Sequence, residues 1–348
     1  MRRRLDPVVQ LAAPALLVVA VAVVGSFTPL ARQLEFENAL VRTAVVVALY
    51  VFIGNSGVIS FGHISFVAVG GYLAGILTLE AEQKNFVLPS LYPWLRHTHV
   101  GTTPSFALAA AAGGIYAFVV GLALMRLSGL PAGIATFAVL GITYNVLRYW
   151  EKIGPAAQAL ALVPEVGIWT LMVCTLIAIA VAFAYQRSRS GRKLRATRED
   201  PAAAQAAGID LYRQRLVAFT LSGAVAGFAG AMLVHQLGTI TTDQVYLELT
   251  FTTLAMLVVG GVTSLWGAVV GALLISGLDS FLGDAENGIR IGVHIDLPDG
   301  TRLVTVAAVM ALVLILRPSG ITGGREVTLP RGRRQEAAPG RAPVSSPR

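Results

Sequence analysis

Ten apolar segments, most of them close to twenty residues long, limit what this chain can fold into more than any other feature. They run over about 8–30, 38–54, 62–80, 105–127, 131–149, 166–186, 214–236, 249–262, 264–282 and 302–317. A helix needs about 20 apolar residues to cross a bilayer core. Backbone groups in lipid have no water to bond, so a helix that satisfies its own N–H and C=O groups is the structure such segments adopt. Composition agrees: of 348 residues 55% are hydrophobic and 13% charged, against about 25% charged in a soluble domain, and the mean hydropathy is +0.69. The expectation is an all-α, polytopic transmembrane bundle of about ten spans.

Two pairs of segments meet at Gly-rich breaks instead of polar loops. One break is Gly54-Asn55-Ser56-Gly57-Val58-Ile59-Ser60-Phe61-Gly62-His63; the other is Gly260-Gly261-Val262-Thr263-Ser264-Leu265-Trp266-Gly267. Positive residues gather on the cytoplasmic side of membrane proteins. With the N-terminus inside, 19 of the 27 Lys and Arg lie inside and 8 outside. Ten spans then put both termini in the cytoplasm. The segment following Arg2 to Arg4 lacks a small-residue cleavage site and contains Pro14, so it reads as an uncleaved first span. Residues 1–317 form the transmembrane domain, and 318–348, rich in Arg, Pro, Gly and Ser, read as a cytoplasmic disordered tail. Cys174 is the single cysteine, so no disulfide framework exists.

The cytoplasmic loop 187–213 is a charged island between apolar segments, and it spells a short helix. Asp200 is a cap, Pro201 suits the first helical position, an Ala-rich run follows, and Gly208 supplies a stop. A small-faced helix in a basic loop either docks a soluble partner or only anchors its flanking spans. Arg192, Arg195, Arg198 and Glu199 can rim the docked face.

Other motifs have plainer readings. Ser60, Gly62 and His63 at the first break can line a pathway with freed backbone, yet close helix packing with mutually satisfied polar groups is the better expectation for His63. Gly260, Gly261, Ser264, Gly267 and Gly271 form a small-residue stripe whose ordinary use is also packing. There is no Gly-x-x-x-x-Gly-Lys-Ser/Thr sequence, so no P-loop hydrolysis of ATP by this chain. No metal-ligand spacing and no paired acid/base residues stand out, and nucleic acid is not an expected partner of the net charge of +8, which reports orientation.

The stretch from Ser190 to Asp210, followed by Tyr212 to Phe219 and Ser222 to Ala231, resembles the inner-membrane permease subunit of branched-chain amino-acid ATP-binding-cassette importers. More narrowly it resembles the M-type (LivM-like) of that system's two paralogous permeases. Val259 to Ala272, Leu316 to Gly320 and, near the start, Gly57 to Phe66 with Gly70-Gly71-Tyr72 carry the likeness from about residue 40 to 320. The resemblance implies a bacterial inner-membrane transport subunit without catalysis of its own. Loop 187–213 would be the coupling helix, with Glu199, Asp200, Ala203, Ala204 and Gly208 as the contact core. Its implied partners are a paralogous permease in a heterodimer, two cytoplasmic ATPases carrying ATP and Mg, an extracytoplasmic solute-binding protein, and membrane lipid; the chain itself binds no cofactor. The implied cargo is a branched-chain amino acid, with urea, short amides or other amino acids as the alternative and an ion-coupled secondary transporter as the rival class. Two departures weaken that cargo: Glu151 to Pro164 replaces a Gly-rich Thr-Gly-Gly type segment, and Leu130-Pro131-Ala132-Gly133 replaces the usual start of the fifth span.

Overall fold

Each apolar segment becomes a helix in the computed structural model, which describes residues 6–286, 289–290, 294–295, 301–317 and 319–327. The helices are α1 (Asp6–Ser26), α2 (Leu30–Leu49), α3 (His63–Thr78), α4 (Ala81–Val87), α5 (Pro93–Arg96), α6 (Thr102–Leu124), α7 (Leu130–Tyr149), α8 (Ile168–Arg187), α9 (Arg189–Glu199), α10 (Pro201–Ala206), α11 (Leu211–Leu237), α12 (Leu247–Gly260), α13 (Leu265–Glu286) and α14 (Thr301–Leu316). Seven are long and apolar enough to cross a membrane; α3, α12 and the apolar part of α14 are shorter. A pair of two-residue strands, β1 (Ile289–Arg290) and β2 (His294–Ile295), lies antiparallel between α13 and α14. Arg2 to Arg4 lie outside the described residues, as does the tail beyond 327.

α2 and α11 form the centre. α2 is buried over nearly its whole inner half, and α11 packs most extensively on α6 and α3. Small residues permit this. A Cβ added to Gly70 would fall 2.2 Å from the Gly227 carbonyl oxygen, and one added to Gly230 would fall 2.0 Å from that of Val67. Helix backbones in contact gain van der Waals packing where lipid gives no hydrophobic drive between apolar surfaces. Hydroxyls add bonds across helices: Ser222 donates to the Ala48 carbonyl at 2.6 Å, and Thr175 to that of Leu40 at 3.1 Å.

α2 starts at Leu30, eight residues before the sequence expectation. Arg32, Gln33, Glu35 and Glu37 look like loop residues, but they sit on a helix end where long polar side chains reach the interface. Gln33 donates to Glu37 one turn on, at 2.9 Å, and so keeps that buried carboxyl bonded. At this same end of the bundle, residues 160–166 run along 235–240 through a Leu160–Ile240 bridge and a Val163 N–H to Gly238 carbonyl bond. The segment between α3 and α6 folds around Lys84, fully buried, whose ammonium donates to the carbonyls of Leu95 (3.2 Å) and Thr98.

Candidate functional site

At the opposite end, three helices follow one another with a side-chain acceptor at each start. Ser188 accepts from the Gly191 N–H at 3.0 Å and opens α9. Asp200 accepts from the N–H groups of Ala202 (2.9 Å) and Ala203 (3.0 Å) and opens α10. Asp210 does the same for α11 through Arg213 N–H at 3.1 Å. Such caps bond donors that the helix itself leaves free, each typically worth ~1 kcal/mol. Gly208 ends α10 at φ +76, the left-handed region that favours glycine. The short loop helix expected from Asp200, Pro201 and Gly208 is therefore present with those residues at those positions.

Its faces are unequal. Ala203, Glu199, Asp200, Arg192 and Gly208 are exposed, whereas Ala204 is buried and packs α10 onto its own chain. Ala204 thus does not belong with the exposed residues expected to form a contact core; helical periodicity turns it inward while Pro201, Ala202, Ala203, Gln205 and Ala206 stay out. Arg195 is not a free rim charge either, since its guanidinium donates to the Gln186 carbonyl at 2.5 Å. Beside α10 an open cavity of about 640 Å³ is lined by Pro201, Gln205, Gly208, Arg126, Tyr212 and Arg215, among others.

Arg198 connects this loop to the first break. Its guanidinium donates to the Gly54 carbonyl at 2.7 Å and pairs with Glu199 at 2.6 Å. Its stem lies over Gly57, where a Cβ would be 2.6 Å from Arg198 Cγ. Gly54 closes a π-helical turn, Tyr50–Gly54, that continues α2. Asn55 braces the turn by donating to the Val51 carbonyl at 3.0 Å. Tyr50 donates to Gln186 Oε1 at 2.5 Å, so α8, α9 and the turn share one bonded chain. π turns inside α-helices are frequent at functional sites.

The residues singled out in the first break are packed. Ser60 Oγ and His63 Nδ1 are 2.9 Å apart, and His63 is buried among the rings of Phe52, Phe66 and Phe219. Gly62 lies against Thr136 of α7, whose hydroxyl accepts from the Phe61 N–H at 3.1 Å. The first break touches the second: a Cβ on Gly54 would be 2.6 Å from the Val262 carbonyl oxygen.

In the second break, Gly260 and Gly267 mark the tightest crossing of α12 and α13, with an added Cβ on Gly260 only 2.0 Å from the Gly267 oxygen. Ser264 Oγ accepts from the Gly267 N–H at 3.1 Å, and Gly261 has φ +124. Residues 319–327, expected to begin a disordered tail, instead dock on this break. Ile321 N–H donates to the Val259 carbonyl at 2.8 Å, and Thr322 Oγ1 to that of Gly260 at 2.7 Å. The Glu326 carboxylate accepts from Leu265 N–H (2.7 Å) and Trp266 N–H (3.2 Å), capping α13 from sixty residues away. The break leaves helix-end groups without partners, and the segment after α14 supplies them. Glu326, Tyr50, Asn55 and the Arg198–Gly54 bond escaped sequence reasoning. Only Arg198, within the charged island, had a signal.

At the far end, Tyr144 and Arg148 of α7 both donate to Asp243 Oδ1, at 2.7 and 2.8 Å, and Tyr144 stacks on Tyr246 with centroids 3.9 Å apart. The Tyr144 hydroxyl, with the Arg148 guanidinium, holds the Asp243 carboxyl below the usual carboxylate range.

The family described as "Branched-chain amino acid transport system / permease component" matches residues 39–317. The autoinducer 2 import system permease protein LsrC of Enterobacter sp. (strain 638) is 29% identical over 189 residues, 51% of this chain and 52% of that protein. The probable branched-chain amino acid transport permease protein LivH of Methanocaldococcus jannaschii is 30% identical over 158 residues, 43% of this chain and 46% of that protein. The matched regions span about half the length of these curated relatives. No solved structure matches.

Proposed function

The chain belongs to the family of branched-chain amino acid transport system permease components, multi-pass proteins of the inner membrane, and on that premise we propose how this member is driven and what it moves. It is the M-type permease of an importer, paired with a paralogous permease, two cytoplasmic ATPases that bind ATP and Mg, and an extracytoplasmic solute-binding protein. The α9–α10 loop receives the ATPase on its exposed Pro201, Ala202, Ala203 and Gln205 face. With the positive-inside orientation, that loop lies in the cytoplasm.

One observation carries this reading: α9, which leads into the exposed helix α10, is bonded to the first helix break, and the first break touches the second. Displacement of α9 pulls on Gly54 through Arg198 and on Tyr50 through Arg195 and Gln186. Gly54 bears on Val262, so the second break moves with the first. Ser60, Gly62, His63, Gly260, Gly261, Ser264 and Gly267 then act as the packed joints of the transported path's inner gate and not as ligands of the cargo. Binding energy from nucleotide-driven ATPase closure thereby shifts the populations of two arrangements of the spans.

The test is uptake and ATP hydrolysis in vesicles holding the whole assembly. Replacing Arg198 by Ala removes a charge-assisted bond worth ~1.5–3 kcal/mol. We expect hydrolysis to persist while uptake per ATP falls about tenfold or more; unchanged uptake per ATP would end the wiring model. Uptake that survives ATP depletion and collapses with the ion gradient would instead establish a secondary transporter.

A branched-chain amino acid is the favoured cargo, from the family. A second reading rests on the relatives named as autoinducer 2 import permeases. Binding of leucine, autoinducer 2 and urea to the cognate solute-binding protein separates these, because only one of them should bind tightly.

A further inference from the structure

The end of the bundle opposite the coupling loop holds a second cavity, of about 480 Å³, between α1, α2 and α13. Its lining is graded along the helix axes. Nearest the bundle end are Thr28, Arg32, Glu35 and Asp284; deeper are Phe36, Ser280 and Phe281; deepest are Val21, Ala39, Leu273 and Ser276. From Asp284 to Leu273 the helical rise of 1.5 Å per residue gives a depth of about 16 Å. Charges of both signs therefore stand above an apolar floor.

Several of these groups lack partners. Arg32, Glu35 and Asp284 have no side-chain hydrogen bond or ion pair among the described residues. Ser276, one of the lining residues, is 5% exposed, and its Oγ is buried without a partner. A buried hydroxyl without a bond costs free energy, so an acceptor from outside the chain is the natural complement. The neighbouring face of α13 contrasts sharply, because Asp279 is paired there with Arg42 at 2.6 Å. Val24 and Phe281 of the lining are both more than half exposed.

We propose that this cavity binds one zwitterionic phospholipid of the extracytoplasmic leaflet bearing a primary ammonium. Arg32 meets the phosphate, Glu35 and Asp284 hold the ammonium, Ser280 and Ser276 donate to the ester oxygens, and an acyl chain covers Leu273, Val21 and Ala39. A free amino acid carries the same two charges, but it is far shorter than the graded wall. The site does not depend on the cargo or on the ATPase partner; it needs only the membrane placement of α1, α2 and α13.

Native mass spectrometry of the purified full-length chain, titrated with phosphatidylethanolamine or phosphatidylglycerol of identical chains, tests it. The wild type should retain one phosphatidylethanolamine at least tenfold more strongly than phosphatidylglycerol. The Glu35→Gln, Asp284→Asn double variant should lose that preference. Gly277→Leu provides a second route, since a Cβ there meets nothing within 4 Å and the added side chain enters the cavity; it should abolish the tight lipid while leaving the melting temperature of the delipidated protein unchanged. Equal retention of both lipids by the wild type, or an undiminished preference in either variant, overturns the proposal. Displacement of the lipid by millimolar leucine overturns it in favour of a cargo site.

Discussion

Gly208 is the clearest single-residue lever. Apart from its chain neighbours, no atom lies within 4 Å of a Cβ built there, so the main cost of Gly208→Val is a β-branched residue forced to φ +76. That strain is about 1–2 kcal/mol, enough to reshape the end of α10 and too little to unfold the bundle. The expected result is normal membrane abundance with ATP hydrolysis uncoupled from uptake. Full transport by the variant would remove α10 from the coupling path. Arg198 is subtler, because its fork bonds Gly54 and Glu199 together. Arg198→Lys keeps the charge but not the fork, so uptake per ATP should fall between wild type and Arg198→Ala. The sequence announced the first lever and not the second. Asp200, Pro201 and Gly208 follow local capping rules that need no tertiary contact, whereas the Arg198 partner lies 144 residues away in the chain.

Among the elements, the two breaks behave differently from ordinary loops. The α12–α13 crossing leaves no room for a side chain. Gly271→Val would put its Cβ 2.1 Å from the Met256 carbonyl oxygen, and backbone cannot yield as a flexible side chain can. Overpacking of this kind costs about 1–3 kcal/mol or more, so thermal melting in detergent should show a marked loss for Gly271→Val and little for Gly277→Ala. The segment 319–327 offers a deletion test. Chains ending after residue 327 should melt like the full protein, while chains ending after 318 lose the Glu326 cap and the Ile321 and Thr322 bonds and should melt lower. Equal melting would mean that α13 needs no cap. The positions of the ten apolar helices were legible because hydropathy over twenty residues is a strong local signal. The start of α2 was not, since interfacial Arg32, Glu35 and Glu37 mimic a loop. The docked segment was not either: its Gly, Thr and Arg composition looks unstructured until the broken helix ends that need its bonds are known.

For the whole molecule, α7 is a long helix with much of its surface exposed. It is tied at its far end by Tyr144 and Arg148 to Asp243, and at its near end by Thr136 to Phe61. The Asp243 carboxyl sits below its ordinary value of 3.8. A lowered carboxyl stabilises the folded tie above that value and loses the effect as pH falls through the folded one. The near-ultraviolet circular dichroism of the Tyr144–Tyr246 stack should therefore hold steady down to about pH 4 and decline below it, with Asp243→Asn low throughout. A variant signal equal to wild type at neutral pH would show that the tie does not depend on this charge. The π turn of α2 gives the molecule a further property. It stores one residue beyond what an α-helix of the same height would hold. Letting that surplus residue migrate one turn along α2 re-registers only the residues it passes, turning each by about 100° with an axial step of about 1.5 Å. On the proposed coupling path, the Arg198–Gly54 and Tyr50–Gln186 bonds meet α2 at the turn where such a local twist would start.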